Sequence, residues 1–507
     1  MTARNSHPHP ARPAGYDALI GRFGLQVLGH WHHSAIAGSA AHQSRAEAGQ
    51  VFDTYPRIMA PDDSFAGHLE FALKHDGVNL EILAALFAKV NPKELLKYVR
   101  SKPTGRYARR AWYLYELLTQ RRLPLTGLTS GNYVDLLAPD LYYTSAPIRV
   151  RRQRINDNLL GDARFCPILR RTALLEDFAE KDLPRRCQQV LAAYPRDIFR
   201  RAMNYLYTKE TRSSFEIENV PIDASRSQRF VALLVEAHQK DFYNKQDLIG
   251  LQNRIVDQRF RDHDYRQTQN YVGESVNWTQ QRVHYVAPKP ADLPELMEGT
   301  YAAHRRMNDP RVHPVLHAAA VAFGFVFLHP FEDGNGRIHR FLIHNVLARR
   351  GFTPPAMIFP VSAVMLQDRE AYDAALEAFS HRLLPLIDYA LDDQGRMTVR
   401  HDTALHYRYL DLTPQAEALF AFIQRVIEVE LVEELQFLRS YDAAKKAIQA
   451  IVDMPDRLID LFIRLCLQNK GMLSQGKRAS VFTRLTDEEV ARMTAAVRQA
   501  YPPDAQT

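Results

Sequence analysis

Residues 329–340 read HPFEDGNGRIHR, a polar stretch holding two histidines, two acids, two glycines and two arginines. Gly334 and Gly336 allow backbone conformations and close approaches that a β-carbon would obstruct, so successive amides can face an anion. An apolar helical pattern ends at Leu328 and another begins at Arg337. The unpaired amides and dipole of the second helix therefore add to a site suited to phosphate. Arg337 and Arg340 are three apart, share a helix face beside the loop, and can grip a polyphosphate. Asp333 offers the hard oxygen that magnesium takes when phosphates supply the rest of its shell, and Asn335 adds a neutral donor. His329, at the loop's entrance, is the one group here whose ordinary pKa of about 6.5 lets it take a proton at neutral pH. It is the candidate base.

This segment resembles the Fic family motif HPFx(D/E)GNGRxxR and matches it at every specified position from His329 to Arg340. The resemblance implies a helical core and transfer of AMP from ATP to a Ser, Thr or Tyr hydroxyl of a target protein, with pyrophosphate leaving. By matching positions, His329 would deprotonate the target hydroxyl and Asp333 would hold Mg2+. Gly334, Asn335, Gly336 and Arg337 would orient the phosphates, and Arg340 would bind the γ-phosphate. A relative with lysine at the position of Gly336 is associated with phosphorylation instead, which Gly336 argues against. Other relatives transfer UMP or phosphocholine with nearly the same loop, so ATP is an expectation of the resemblance. Tyr372 falls where relatives carry an aromatic residue close to the nucleotide.

Two further segments extend the resemblance. At 282–287, Val283, Tyr285 and Ala287 alternate with Arg282, His284 and Val286 ahead of Pro288, which predicts a short hairpin. Its position matches the flap over a Fic active site, where a strand edge formed by Val283, His284, Tyr285 and Val286 would hold an extended target segment. The stretch SFEIEN matches the family's inhibitory pattern (S/T)xxxE(G/N) at Ser214, Glu218 and Asn219. Ser214 and Glu218, four apart, share a helix face, and the carboxylate there could pair with Arg340 and keep it from the γ-phosphate. The resemblance thus implies autoinhibition by Glu218, and leaves open self-modification and removal of AMP from the modified target.

Apolar residues at three- and four-residue spacing predict helix at 80–90, 92–99, 108–120, 198–207, 292–306, 314–328, 337–350, 369–381, 414–440 and 457–468. Strand signals are few, so the fold class is mainly α: a helical Fic core with a β-hairpin flap, flanked by helical domains. A length of 507 residues with 46% hydrophobic and 24% charged residues excludes fibrous and wholly disordered chains and suggests about three domains. Prolines and composition place them at 1–195, at 196–392 (inhibitory helix about 211–219, flap about 281–288, catalytic loop 329–340) and at 393–507. Cys166, Cys187 and Cys466 are widely spaced, which argues against a disulfide framework or a structural zinc site. His313 and His317 have helical zinc spacing but no evident third ligand, and His339 and His344 read as structural or surface residues. The amino terminus, through Asp17, reads as a mobile tail without a secretory apolar run, and the longest apolar stretch, 315–328, is too short to span a bilayer. The expectation is a cytoplasmic protein with no membrane partner; a homo-oligomer is left open.

The net charge of +7 permits an anionic partner. Between Lys93 and Arg122 nine basic residues face two acidic ones, around a KPTG turn between short helices, and IRVRRQR follows at 148–154. That pattern suits a helix-turn-helix reader of nucleic acid or a docking domain with solvated basic faces. The alternative function is therefore a nucleic-acid-binding regulator whose Fic core senses nucleotide. In the last third, Lys470–Arg478 and the helix after it suggest a small winged-helix-like unit, although packing of Leu461, Phe462 and Leu465 on the catalytic core is the simpler account.

Overall fold

The computed structural model describes residues 11–38, 41–47, 49–275 and 281–502, and the fold is mainly α. The first 60 residues carry strands that the sequence patterning did not announce. Strands β1 (Arg12–Ala14), β2 (His32–Ala37), β3 (Gln43–Glu47) and β4 (Gln50–Pro56) form a sheet in the order β1-β2-β4-β3, with β2 and β4 parallel and the outer pairs antiparallel. Strand β1 is three residues long and β3 is exposed throughout, so neither shows the alternation that marks a half-buried strand. Helix α1 (Gly15–Phe23) follows β1 directly, so residues 12–17, expected as part of a tail, are built into the fold; residues 1–10 lie outside the described residues.

Helices α2 (Phe65–Phe71), α3 (Leu80–Lys89), α4 (Pro92–Ser101) and α5 (Arg106–Thr119) then pack into a second hydrophobic cluster. The expected helix-turn-helix segment is α4 and α5. Helix α5 is buried from Ala108 to Tyr115, and its Arg109 and Arg110 point inward. Their guanidinium groups donate to backbone carbonyls of Gln153, Asn132 and Asp135 at 2.8–2.9 Å. Two of the basic residues counted towards a phosphate-binding face are thus committed to holding the small sheet β5 (Val134–Asp135), β6 (Ile148–Val150) and β7 (Ile155–Asp157).

Helices α6 (Ala173–Glu180), α7 (Leu183–Ala192), α8 (Arg196–Ile217), α9 (Ala224–Glu236) and α10 (Lys245–Ile255) lead to the expected hairpin, β8 (Tyr271–Ser275) with β9 (Gln281–Val286). Val272 stands opposite Tyr285 and Gly273 opposite Val283, with a bulge between Val272 and Gly273; the connection at 276–280 lies outside the described residues. Next come α11 (Leu293–Met307), α12 (Pro314–Leu328), α13 (Asn335–Arg349), α14 (Val361–Gln367) and α15 (Arg369–Leu383). Helix α12 is apolar on every side and buried nearly throughout, as a helix at the centre of a core must be.

The DDQG turn joins β10 (Tyr389–Leu391) to β11 (Met397–Val399), and α16 (Leu405–Arg408) and α17 (Thr413–Arg425) follow. The single helix expected at 414–440 is α17 and α18 (Leu431–Gln449) joined through a π-helical turn at Val426–Glu430. Packing runs across both expected domain boundaries, because the main cluster is contiguous from Tyr143 to Leu435. Phe165 seats against Gly299 and Gly324, where an added β-carbon would lie 2.7 and 3.0 Å from its side chain. Phe462 packs in a separate cluster built by α18, α19 (Asp456–Gln468) and α21 (Asp487–Ala500), with Leu461 and Leu465 at its margin, rather than on the catalytic core. With α20 (Gln475–Ser480) this end is helical, and among the described residues no strand follows β11, so nothing described there forms a wing.

Candidate active site

Helix α12 ends at Leu328, and His329 occupies the left-handed region with φ 49°, turning the chain sharply into the loop. The imidazole Nδ1 lies 3.3 Å from the Val326 carbonyl oxygen and, in the tautomer that satisfies this contact, donates to it. Nε2 is then the acceptor available to a substrate hydroxyl. Burial, then the Arg266 guanidinium, lower the His329 pKa to about 4 against the opposing pull of Glu218 and Asp333. The histidine is therefore neutral at physiological pH, but a weaker base than its ordinary value suggested.

Gly334 caps α13 with φ 92°, a conformation that favours glycine, and its amide donates to Asp333 Oδ1 at 2.6 Å. Asn335 closes the loop on itself: Oδ1 accepts from the Phe331 amide at 3.1 Å and Nδ2 donates to the Phe331 carbonyl at 2.7 Å. Its side chain thereby shapes the loop in this state. Asp333 is half exposed at 52%, with its carboxylate 2.8 Å from Arg337 Nη2. Among the described residues no three His, Cys, Asp or Glu side chains converge as a metal site, so a cation here would rest on Asp333 and on phosphate oxygens.

Arg337 and Arg340 are 2% and 1% exposed, yet Arg337 Nε and Arg340 Nη1 make no hydrogen bond of ordinary geometry. Tyr372, itself buried, lies near enough to bear on the Arg340 charge, and its ring stacks on His339 at 6.3 Å. A buried guanidinium donor without a partner, as at Arg337 Nε, is costly, and an anionic ligand at this helix end would satisfy it.

The expected inhibitory segment reaches this site. Arg340 Nε donates to Ser214 Oγ at 2.9 Å, and Nη2 donates to the Ser214 carbonyl at 2.7 Å and to Glu218 Oε1 at 2.9 Å. Burial pushes the Glu218 carboxyl pKa up, but Arg340, with Arg337 and His329, outweighs it and holds the group below its ordinary value. Asn219 adopts φ 54° just past the helix end, which gives the last position of the pattern a physical reason: glycine and asparagine enter that region most readily. A β-carbon on Gly336 would lie 2.1 Å from Glu218 Oε1, so a side chain there and this position of Glu218 exclude each other.

The hairpin residues divide differently from the expected docking edge. Val283, Tyr285 and Val286 are buried, and the Tyr285 hydroxyl donates to the Phe327 carbonyl, so these side chains anchor the hairpin on the core. His284 alone of the four is partly exposed, 3.4 Å from Glu274. The buried side chains meet α12 and α15, so any pairing with a target would use the backbone edge of the hairpin.

Arg266 is a positioning residue that sequence reasoning missed. It is 2% exposed and donates to the carbonyls of His329, Thr268 and Pro288 at 2.6–2.8 Å, tying the loop entrance to the base of the hairpin. All its partners are backbone atoms, which leave no mark in residue type. The pair at zinc spacing splits: His313 Nδ1 accepts the Val315 amide at 3.2 Å, whereas His317 bonds His304 at 2.9 Å. His339 and His344 are both buried, so neither is a surface residue.

A glycine loop between two core helices, with paired arginines at the second helix's start and a histidine at the end of the first, is an arrangement suited to an anion with an imidazole beside it. Residues 242–347 match the Fic/DOC family model, and the chain carries a Fic domain there. Protein adenylyltransferase Fic of Culex quinquefasciatus is 33% identical over 126 residues, 24% of this chain and 22% of that protein. The protein of the same name from Nematostella vectensis is 34% identical over 118 residues, 23% of each chain. This chain thus spans under a quarter of the length of the curated relatives it matches. Among solved structures, a Fic family protein from Desulfovibrio desulfuricans G20 aligns over 61% of this chain and 87% of its own, at 18% identity and a TM-score of 0.39. No helix of the described residues is long and apolar enough to cross a membrane.

Proposed function

We propose that the protein transfers AMP from ATP to a hydroxyl side chain of a target protein and is held inactive by Glu218. The reading is carried by two buried arginines, Arg337 and Arg340, in the first two turns of α13, beside a histidine whose Nδ1 is turned to the Val326 carbonyl. The adenylyltransferase names of the matched relatives support it. In the reaction the target oxygen attacks the α-phosphorus, the bond from that phosphorus to the bridging oxygen breaks, and pyrophosphate departs. The hydroxyl proton passes to His329 Nε2. Phosphoryl chemistry of this kind needs mainly in-line positioning and charge stabilisation, which α13, its loop amides, Arg337 and Arg340 can supply. Mg2+, held by Asp333 and the phosphates, would neutralise charge on the leaving group.

In the state described, Arg340 is occupied by Ser214 and Glu218, so release of Glu218 is the activating step. Wild type, Glu218→Gly and Glu218→Gly/His329→Ala are incubated with α-labelled ATP and Mg2+, alone and with lysate proteins, with α-labelled UTP in parallel. Label from ATP is expected on protein with Glu218→Gly and lost when His329→Ala is added. Absence of label with every nucleotide refutes the reading, and label that survives His329→Ala refutes the assigned base.

A further inference from the structure

Helix α8 meets α13 at two levels, and only one of them is the inhibitory pair. Two turns before Glu218, Glu210 is completely buried and His344 is 3% exposed. Glu210 Oε1 lies 2.8 Å from His344 Nε2 and accepts from the Ser362 hydroxyl, while Oε2 accepts the Ser362 amide at 2.8 Å. His344 stands one turn beyond Arg340 on α13, and Ser362 stands in the first turn of α14. Glu210, Ser214 and Glu218 recur every four residues along one ridge of α8, and Arg340 and His344 do the same on α13. Later residues of α8 meet earlier residues of α13, the arrangement of antiparallel neighbours.

A carboxylate with no access to water is tolerated only when its lone pairs are satisfied, and Glu210 satisfies them with partners from two other helices. Helix α8 also packs on α9, α14 and α18, and the Glu210 contact adds a buried polar tie that sets its register against α13. The Glu218 side chain is one-third exposed at 33%, so its own surroundings hold it less firmly than Glu210 is held. Further ties near that end are Arg340 to Ser214, Arg337 over the Phe215 ring, Phe215 against Phe230, and Arg369 Nη1, which donates to the Ile217 carbonyl at 3.1 Å.

We propose that Glu210 is a positioning residue for inhibition: clamped by His344 and Ser362, it fixes α8 in the register that delivers Glu218 to Arg340. The clamp touches neither nucleotide nor target, and it acts only through Glu218. This rests on the reading of Glu218 as inhibitor. The decisive property is therefore dependence: breaking the clamp matters while Glu218 is present and loses its effect once Glu218 is gone.

The test uses the full chain as wild type, Glu210→Ala, His344→Gln, Glu218→Gly and Glu210→Ala/Glu218→Gly. Two readouts are taken: initial rate of AMP labelling, and backbone amide exchange over residues 212–219. Glu210→Ala is expected to raise the labelling rate at least fivefold over wild type and to speed exchange in that segment. The double variant is expected to label within twofold of Glu218→Gly. His344→Gln, which keeps a hydrogen-bond donor within reach of Glu210, is expected to move both readouts in the same direction by less. Activation by Glu218→Gly with no change in Glu210→Ala overturns the proposal, as does an equal loss of rate on adding Glu210→Ala to either background, the mark of a merely structural residue. If Glu218→Gly labels nothing, the functional reading fails, and exchange still decides the clamp: unchanged exchange in Glu210→Ala and His344→Gln overturns it.

Discussion

Glu218→Gly removes one charge-assisted hydrogen bond, from a guanidinium that is 1% exposed to a carboxylate that is 33% exposed. A bond of that kind contributes about 1.5–3 kcal/mol. If the γ-phosphate competes with Glu218 for Arg340, deleting the competitor raises kcat/KM for ATP by about 10- to 150-fold. The same deletion costs stability, but less than the roughly 3–5 kcal/mol usual for breaking a buried pair, because Ser214 still accepts from Arg340 at 2.9 and 2.7 Å. The variant should melt a few degrees lower and recover most of that loss in ATP and Mg2+, since the ligand supplies the missing anion. Labelling rates at ATP concentrations well below KM, with melting curves taken with and without ATP, measure both effects. A variant that melts lower yet labels at the wild-type rate, with ATP giving no recovery, would show that the pair is purely structural.

Three other outcomes follow from the geometry. His329, lowered to about 4 by burial and Arg266, is unprotonated throughout the neutral range, so kcat/KM of Glu218→Gly should be flat from pH 5.5 to 8; an inflection near 6.5 would mean the imidazole is not held neutral. The same burial acts on stability. His30, His313, His329 and His339 all lie at about 3 or 4, so the unfolded chain binds more protons once the pH drops below about 6.5. Their contribution falls as pH falls from there towards 4, while Asp76, raised to about 8 by burial, works in the opposite sense, so the melting temperature should decline on net between pH 6.5 and 5. Arg266→Ala strands three carbonyls at about 1–3 kcal/mol each; in the Glu218→Gly background kcat should fall more than tenfold with KM for ATP little changed, because Arg337 and Arg340 are untouched.

What was legible in the sequence was whatever a local run of residue types could encode. The loop from His329 to Arg340 is contiguous, and its glycines, acid and arginines each leave a distinctive type at a fixed offset. The Glu218 contact joins residues 122 apart and was visible only through a six-residue pattern, whose last position the left-handed Asn219 explains. Arg266 was invisible because its partners are carbonyls, and α5 was misjudged because a charge count does not say what covers a side chain. Arg109 looks like Arg106 in sequence, yet one is buried on Gln153 and the other faces water. Strands β1 and β3 escaped because a three-residue strand and a wholly exposed one carry no periodic signal.

The seat of Phe165 between Gly299 and Gly324 limits how this protein can be cut or recombined. A fragment beginning near Pro195 would retain every residue of the loop, the hairpin and α8, yet it would lose Phe165 from beside α11 and α12 together with Leu169, Leu175, Phe178 and Leu183 of the same core. Losing such a side chain from a core costs about 3–5 kcal/mol, a large share of an ordinary domain's stability. The front third is not an interchangeable cassette: any gene fusion that moves the catalytic helices to a new partner has to carry residue 165 along or fill its place.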